Sequence, residues 1–140
     1  MAEFVMKDLV KKKNLQDFFS IASAATSTEE IGNAVHYGTR NKLAQYGIST
    51  AGKYAVQFKK SDYAKYDYIL GMDNWNIRNI LKIVGKDPVH KVKKLLDFSD
   101  HSRDIADPWY TGNFDVTYED IKEGCEALLE FILKHDELSC

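Results

Sequence analysis

The stretch YDYILGMDNWNIRNILKIV, Tyr66 to Val84, decides the class of this chain. Its opening YDYILGM is nearly continuously apolar, the pattern of a strand buried on both faces. Asp73 follows, an acid of the kind that caps a helix. Beyond it Ile77, Ile80, Leu81 and Val84 recur at helical spacing, which predicts a helix over Asp73–Val84 with those four side chains inward. A buried strand handing over to an amphipathic helix is the core of a strand–helix–strand unit. Asp73 then stands at a strand's carboxyl end, where open α/β sheets build their sites. It is read mainly as a cap that also touches the site.

The flanking segments repeat the alternation. Downstream, KVKKLLDFS offers a weak strand near Val92–Leu96. Thr117 opens the last helix with a Thr-x-x-Asp capping pattern that ends at Asp120. The inner face of that helix is Ile121, Cys125, Leu128, Leu129 and Ile132. Upstream, Ala2, Val5, Met6, Leu9 and Val10 mark one face of a first helix. Lys11, Lys12 and Lys13 follow, as cations suit a helix C-terminus. DFFSIASA, Asp17 to Ala24, has strand character, and Thr26–Gly38 reads as a polar loop. Thr39–Tyr46 reads as a short helix closed by Gly47. Helices alternating with strands give an α/β class with a parallel sheet. One feature is unusual: the chain opens on a helix, whereas doubly wound sheets open on a strand, so the first backbone N–H groups have nothing in front of them.

Composition narrows the function. The 140 residues suit one domain, 1–140, and 44% are apolar. A net charge of −2 and a pI near 6.1 give no electrostatic reason to expect nucleic acid. No apolar run approaches membrane-spanning length and no leader pattern is present, so a soluble cytoplasmic protein is expected. The cysteines, Cys125 and Cys140, form no Cys-x-x-Cys pair, and His36, His90, His101 and His135 lack metal-ligand spacing. No metal or cofactor is expected.

The chemistry concentrates in DIADPWYTGNFDV. Asp-Pro starts turns, and that is the plain reading of Asp107 and Pro108. Against it, Trp109 and Tyr110 are suited to wall a pocket for a flat substrate, and an acid held there protonates a leaving oxygen, help worth roughly 10²–10⁴ in rate. No Gly-x-Ser-x-Gly elbow or glycine-rich phosphate loop is present. Cys125 reads as a core thiol on an apolar helix face. An acid stands ready, and the chain offers no nucleophile for it to serve.

The ordered set of segments resembles one family, the low-molecular-weight protein tyrosine phosphatases. MAEFVMKDLV is similar to the helix that follows the family's Cys-x-x-x-x-x-Arg-Ser-Pro loop, with Met1 matching the residue just after that loop. SAATS, Ser23 to Ser27, is similar to its Ser-Ala-Gly-Thr segment. YDYILGMDNWNIR is similar to its strand ending in Met-Asp-x-x-Asn, and DPWYTGNFDV to its general-acid loop. The resemblance runs to about Lys134. It implies a flavodoxin-like parallel sheet flanked by helices, with the first, interior strand and the phosphate loop missing.

In the family a cysteine thiolate attacks phosphorus, an arginine and the loop amides hold the phosphoryl oxygens, and water hydrolyses the phosphocysteine. By position, the resemblance makes Asp107 the general acid, Trp109 and Tyr110 pocket walls, and Ser23 a hydroxyl that supports the phosphate loop. Asp73 belongs to the supporting set. The implied substrate is a phosphorylated protein carrying phosphotyrosine or phosphoarginine.

Departures are specific. The sixth residue after Cys125 is Phe131, not arginine, and Arg40, Arg78 and Arg103 follow no cysteine. Lys53 and Val56 stand where many members carry His and Arg. An arsenate reductase would want further redox cysteines, and none lies between Met1 and Gly124. The chain is therefore expected to be truncated just after the phosphate loop and inactive as it stands. The alternative is a non-catalytic binding or structural module on the same fold. In either case the missing strand, between Phe19–Ser23 and Tyr68–Met72, is expected to leave unpaired edges that favour self-association.

Overall fold

The computed structural model describes residues 1–26, 37–53, 56–106 and 111–135. Its strand–helix–strand unit is β1 (Ile69–Gly71), α3 (Asn74–Val84) and β2 (Val92–Lys94). The two strands pair in parallel, with Ile69 opposite Val92 and Gly71 opposite Lys94. Around them lie α1 (Ala2–Lys12), α2 (Tyr37–Ala44) and the long α4 (Phe114–His135). Among the described residues no helix is long and apolar enough to cross a membrane.

The strand alternates between two layers, because successive side chains point to opposite faces. Leu70, with Tyr68 and Met72, packs against the cluster of Val5, Met6 and Val10 from α1 and Ile121, Cys125 and Leu128 from α4. On the opposite face α3 comes so close that a Cβ on Gly71 would meet Asn76 Cβ and Ile77 Cδ1 at 2.9 Å. Helices on both faces explain why YDYILGM carries no polar alternation.

Most predicted elements form. The run Tyr66–Met72, however, is strand only at Ile69–Gly71, and the helix expected at Thr39–Tyr46 runs Tyr37–Ala44. Residues 27–36 of the loop expected over Thr26–Gly38 lie outside the described residues. Four further points differ. First, Asp17–Ala24 makes no strand ladder. Gln16–Phe18 is a 3-10 turn, and residues 19–24 follow with an extended start at Phe19. The parallel contact nearby is a single bridge, Ala25 to Gln57. An apolar run becomes a strand only where a neighbour takes its N–H and C=O groups. Second, the strand near Val92–Leu96 stops at Lys94, and Leu95–Phe98 tightens into a 3-10 turn whose Leu95 and Leu96 are fully buried. Third, α4 starts at Phe114, ahead of Thr117. Asn113 does the capping, its Oδ1 accepting the Val116 N–H at 3.1 Å. Fourth, Leu81 of α3 is 38% exposed, although Ile80 and Val84 are buried as expected.

Candidate active site

Asp107, Trp109 and Tyr110, the three residues expected to act on substrate, lie outside the described residues. Ser23 and Asp73 are described, and each anchors a separate cluster.

The first cluster surrounds Glu3, in the first turn of α1. Glu3 is only 7% exposed and has three donors. Lys7 and Lys53 ammonium groups each lie 2.8 Å from its carboxylate, and the Ser23 hydroxyl donates at 2.8 Å. Lys53 also donates to the Ser23 carbonyl at 3.1 Å. Burial alone would raise the Glu3 pKa, but the Lys53, Lys7 and Ser23 donors overcome it and hold the carboxyl at about 2. The cluster ties the α1 N-terminus to the segment containing Ser23 and to the turn that carries Lys53. The sequence reading passed over Glu3. The available signal was its spacing, since positions 3, 6 and 10 share the face occupied by Met6 and Val10.

The second cluster stands at the carboxyl end of β1. Asp73 caps α3, its Oδ1 accepting the Asn76 N–H at 2.8 Å, and Asn76 Oδ1 in turn accepts the Met72 N–H at 3.0 Å. The Met72 carbonyl accepts the N–H of Ile105 at 2.8 Å. That bond brings the chain two residues ahead of Asp107 to the strand end. Ile105 is 1% exposed, and the next carbonyl, Ala106, accepts the Thr117 hydroxyl at 2.9 Å. Arg103 reaches Asp120 at 2.7 Å and Glu123 at 3.1 and 3.2 Å. The two carboxylates hold the guanidinium's pKa above its ordinary value, and Arg103 in turn lowers that of Glu123. Asp120 and Glu123 are three apart on one helix face, and that spacing was the legible hint of an ion-pair site.

Cys125 is no nucleophile. It is 1% exposed, and burial pushes its thiol up to about 12, far from the thiolate form that reacts. Among the described residues, no three His, Cys, Asp or Glu side chains converge as a metal site.

The geometry puts Ile105 and Ala106 at the carboxyl end of a parallel strand, beside a capped helix. Residues 1–138 match the family described as low molecular weight phosphotyrosine protein phosphatase. The chain belongs to this family. It is 39% identical over 140 residues to the low molecular weight protein-tyrosine-phosphatase YfkJ of Bacillus subtilis (strain 168), covering 99% of this chain and 90% of that protein. It is 33% identical over 139 residues to PtpA of Staphylococcus aureus (strain MRSA252), covering 99% and 88%. Among solved structures, YfkJ from Bacillus subtilis superposes with a TM-score of 0.92 at 38% identity, over 99% of this chain and 87% of that one. A Drosophila arginine phosphatase superposes with a TM-score of 0.85 at 28% identity, over 93% and 87%. With these neighbours, the parallel sheet flanked by helices is the flavodoxin-like fold of the family.

Proposed function

We propose that this chain carries the proton-donor and pocket portion of a cytoplasmic phosphatase acting on phosphorylated protein, phosphotyrosine or phosphoarginine. Asp107 is the general acid, Trp109 and Tyr110 wall the pocket, and Ser23 and Asp73 hold the elements around it. The observation that carries the reading is the Ile105–Met72 hydrogen bond, which brings the stem of the Asp107 loop to the end of β1 in a chain that matches the family over residues 1–138. The relatives named as protein-tyrosine-phosphatases support phosphotyrosine. The arginine phosphatase among the structural neighbours supports phosphoarginine.

The reaction forms a bond from a cysteine sulfur to phosphorus as the bond to the leaving oxygen breaks, with Asp107 delivering a proton to that oxygen. Water then attacks the phosphocysteine, passing a proton to the Asp107 carboxylate as the sulfur–phosphorus bond breaks, so that phosphate and the cysteine thiolate are released. These 140 residues contain no Cys-x-x-x-x-x-Arg, and the buried Cys125 is no substitute. An acid without a nucleophile supplies only part of the barrier reduction. By themselves, then, these residues give no turnover. The second reading is a non-catalytic binding or structural module on the same fold.

The test uses p-nitrophenyl phosphate and aryl phosphates of graded leaving-group pKa. The 140-residue chain gives no thiol-dependent hydrolysis. Joined at Met1 to a family strand and Cys-x-x-x-x-x-Arg-Ser loop, it gains turnover, and Asp107→Asn makes the rate fall more steeply as the leaving group becomes more basic. Equal slopes for the two proteins would reduce Asp107 to a turn former. No turnover in the joined protein would favour the binding module.

A further inference from the structure

We propose that Thr117 is a positioning residue, whose hydroxyl fixes the chain at Ala106, immediately before Asp107. The proposal rests on the reading of Asp107 as proton donor. A threonine near the start of a helix ordinarily turns its hydroxyl to a carbonyl of its own helix, three or four residues back. Here the carbonyl of Asn113 is taken by the Thr117 N–H at 3.4 Å, and the hydroxyl reaches out of the helix to Ala106 O at 2.9 Å. Thr117 is 3% exposed, whereas Ala106 is exposed. Valine would fill the same volume with no polar group to satisfy, so packing alone does not call for threonine at this place.

The bond completes a clamp on the segment from Arg103 to Ala106. Arg103 is held by Asp120 and Glu123 of α4, the Ile105 N–H by Met72 at the end of β1, and the Ala106 carbonyl by Thr117. Thr117 and Asp120 are neighbours on one face of α4, so a single rigid helix sets both outer points. Proton transfer needs heavy atoms within about 3 Å, and an error of about 1 Å in placing the reacting group costs on the order of 10²-fold. The Thr117 bond acts on the residue from which the acid is hung.

Amide hydrogen exchange in the full chain tests this. In Thr117→Val the Ile105 amide should exchange about fivefold faster, which is the loss of one hydrogen bond worth ~1 kcal/mol, while Leu128 and Leu129 amides keep their rates. Thr117→Ser, which keeps the hydroxyl, should restore the native value. An unchanged Ile105 rate in the valine variant, an equal rise at Leu128 and Leu129, or failure of serine to rescue overturns the proposal. Should valine not fold, Thr117→Ala against Thr117→Ser makes the same comparison. In the protein joined to a family phosphate loop, Thr117→Val should lower kcat about tenfold for basic leaving groups, with KM and activated substrates little changed. An equal loss on all substrates counts against positioning. Failure of this inference appears as unchanged exchange, and failure of the acid assignment as leaving-group slopes that Asp107→Asn does not alter.

Discussion

Replacing Glu3 with glutamine should remove a pH-dependent part of the stability. The carboxyl lies at about 2 against an ordinary 4.5 because Lys7, Lys53 and Ser23 all donate to it. A depression of about two and a half units corresponds to ~3 kcal/mol. The folded-state pKa is below the unfolded one, so this stabilisation is complete above pH 4.5 and is lost as pH falls towards 2. Glutamine keeps one acceptor oxygen, enough for Ser23 and Lys53, while its NH2 faces the Lys7 ammonium and accepts nothing, so the loss at pH 7 should be about 2–3 kcal/mol. Urea unfolding followed by circular dichroism at pH 7, 5 and 3 measures it. The difference between the two proteins should hold from pH 7 to 5 and shrink by pH 3. Asp87, Asp97 and Glu123 also have lowered pKa values, but they are common to both proteins and cancel in the difference. A difference that stays constant across the three pH values would refute the claim that Glu3 is held ionised by its partners.

Gly38→Ala should destabilise by about 1–3 kcal/mol, seen as a lower urea midpoint, because the added Cβ runs into the Phe114 ring where α2 meets α4. An unchanged midpoint would mean that this contact yields freely. In a Cys140→Ser background, Cys125 should react with a thiol reagent at pH 8 only as fast as the protein unfolds, since the thiol is buried and its pKa is near 12. Rapid labelling of the folded protein would contradict that placement. Among the described residues β1 pairs only with β2, and we propose that its other edge promotes self-association. Sedimentation velocity should show concentration-dependent dimers or larger species, and a cooperative monomer across the range would count against it.

Much of the fold was legible because it rests on local rules. The apolar run before Asp73, the cap itself and the 3.6-residue stripes of α1, α3 and α4 each depend on residues close in sequence. Reading Cys125 as a core thiol succeeded for the same reason, since its neighbours on the helix face announce the core. The family also followed from local segments in their order, which residues 1–138 bear out.

What escaped the sequence depended on distant partners. Asp17–Ala24 has the composition of a strand, but a ladder needs a neighbouring backbone, and composition does not supply one. Thr117 and Asp120 looked like a capping pair, yet their partners are Ala106 and Arg103, 11 and 17 residues back in the chain. Glu3 drew no notice in the sequence, and only folding brings Ser23 and Lys53 to it from 20 and 50 residues away. A hydrogen bond or an ion pair is made between atoms within a few ångströms, and for these groups that proximity exists only once α1, α4 and the sheet have packed. The sequence by itself determined the family and the local pattern of helices and strand, and the tertiary structure decided what Glu3, Thr117 and Asp120 touch.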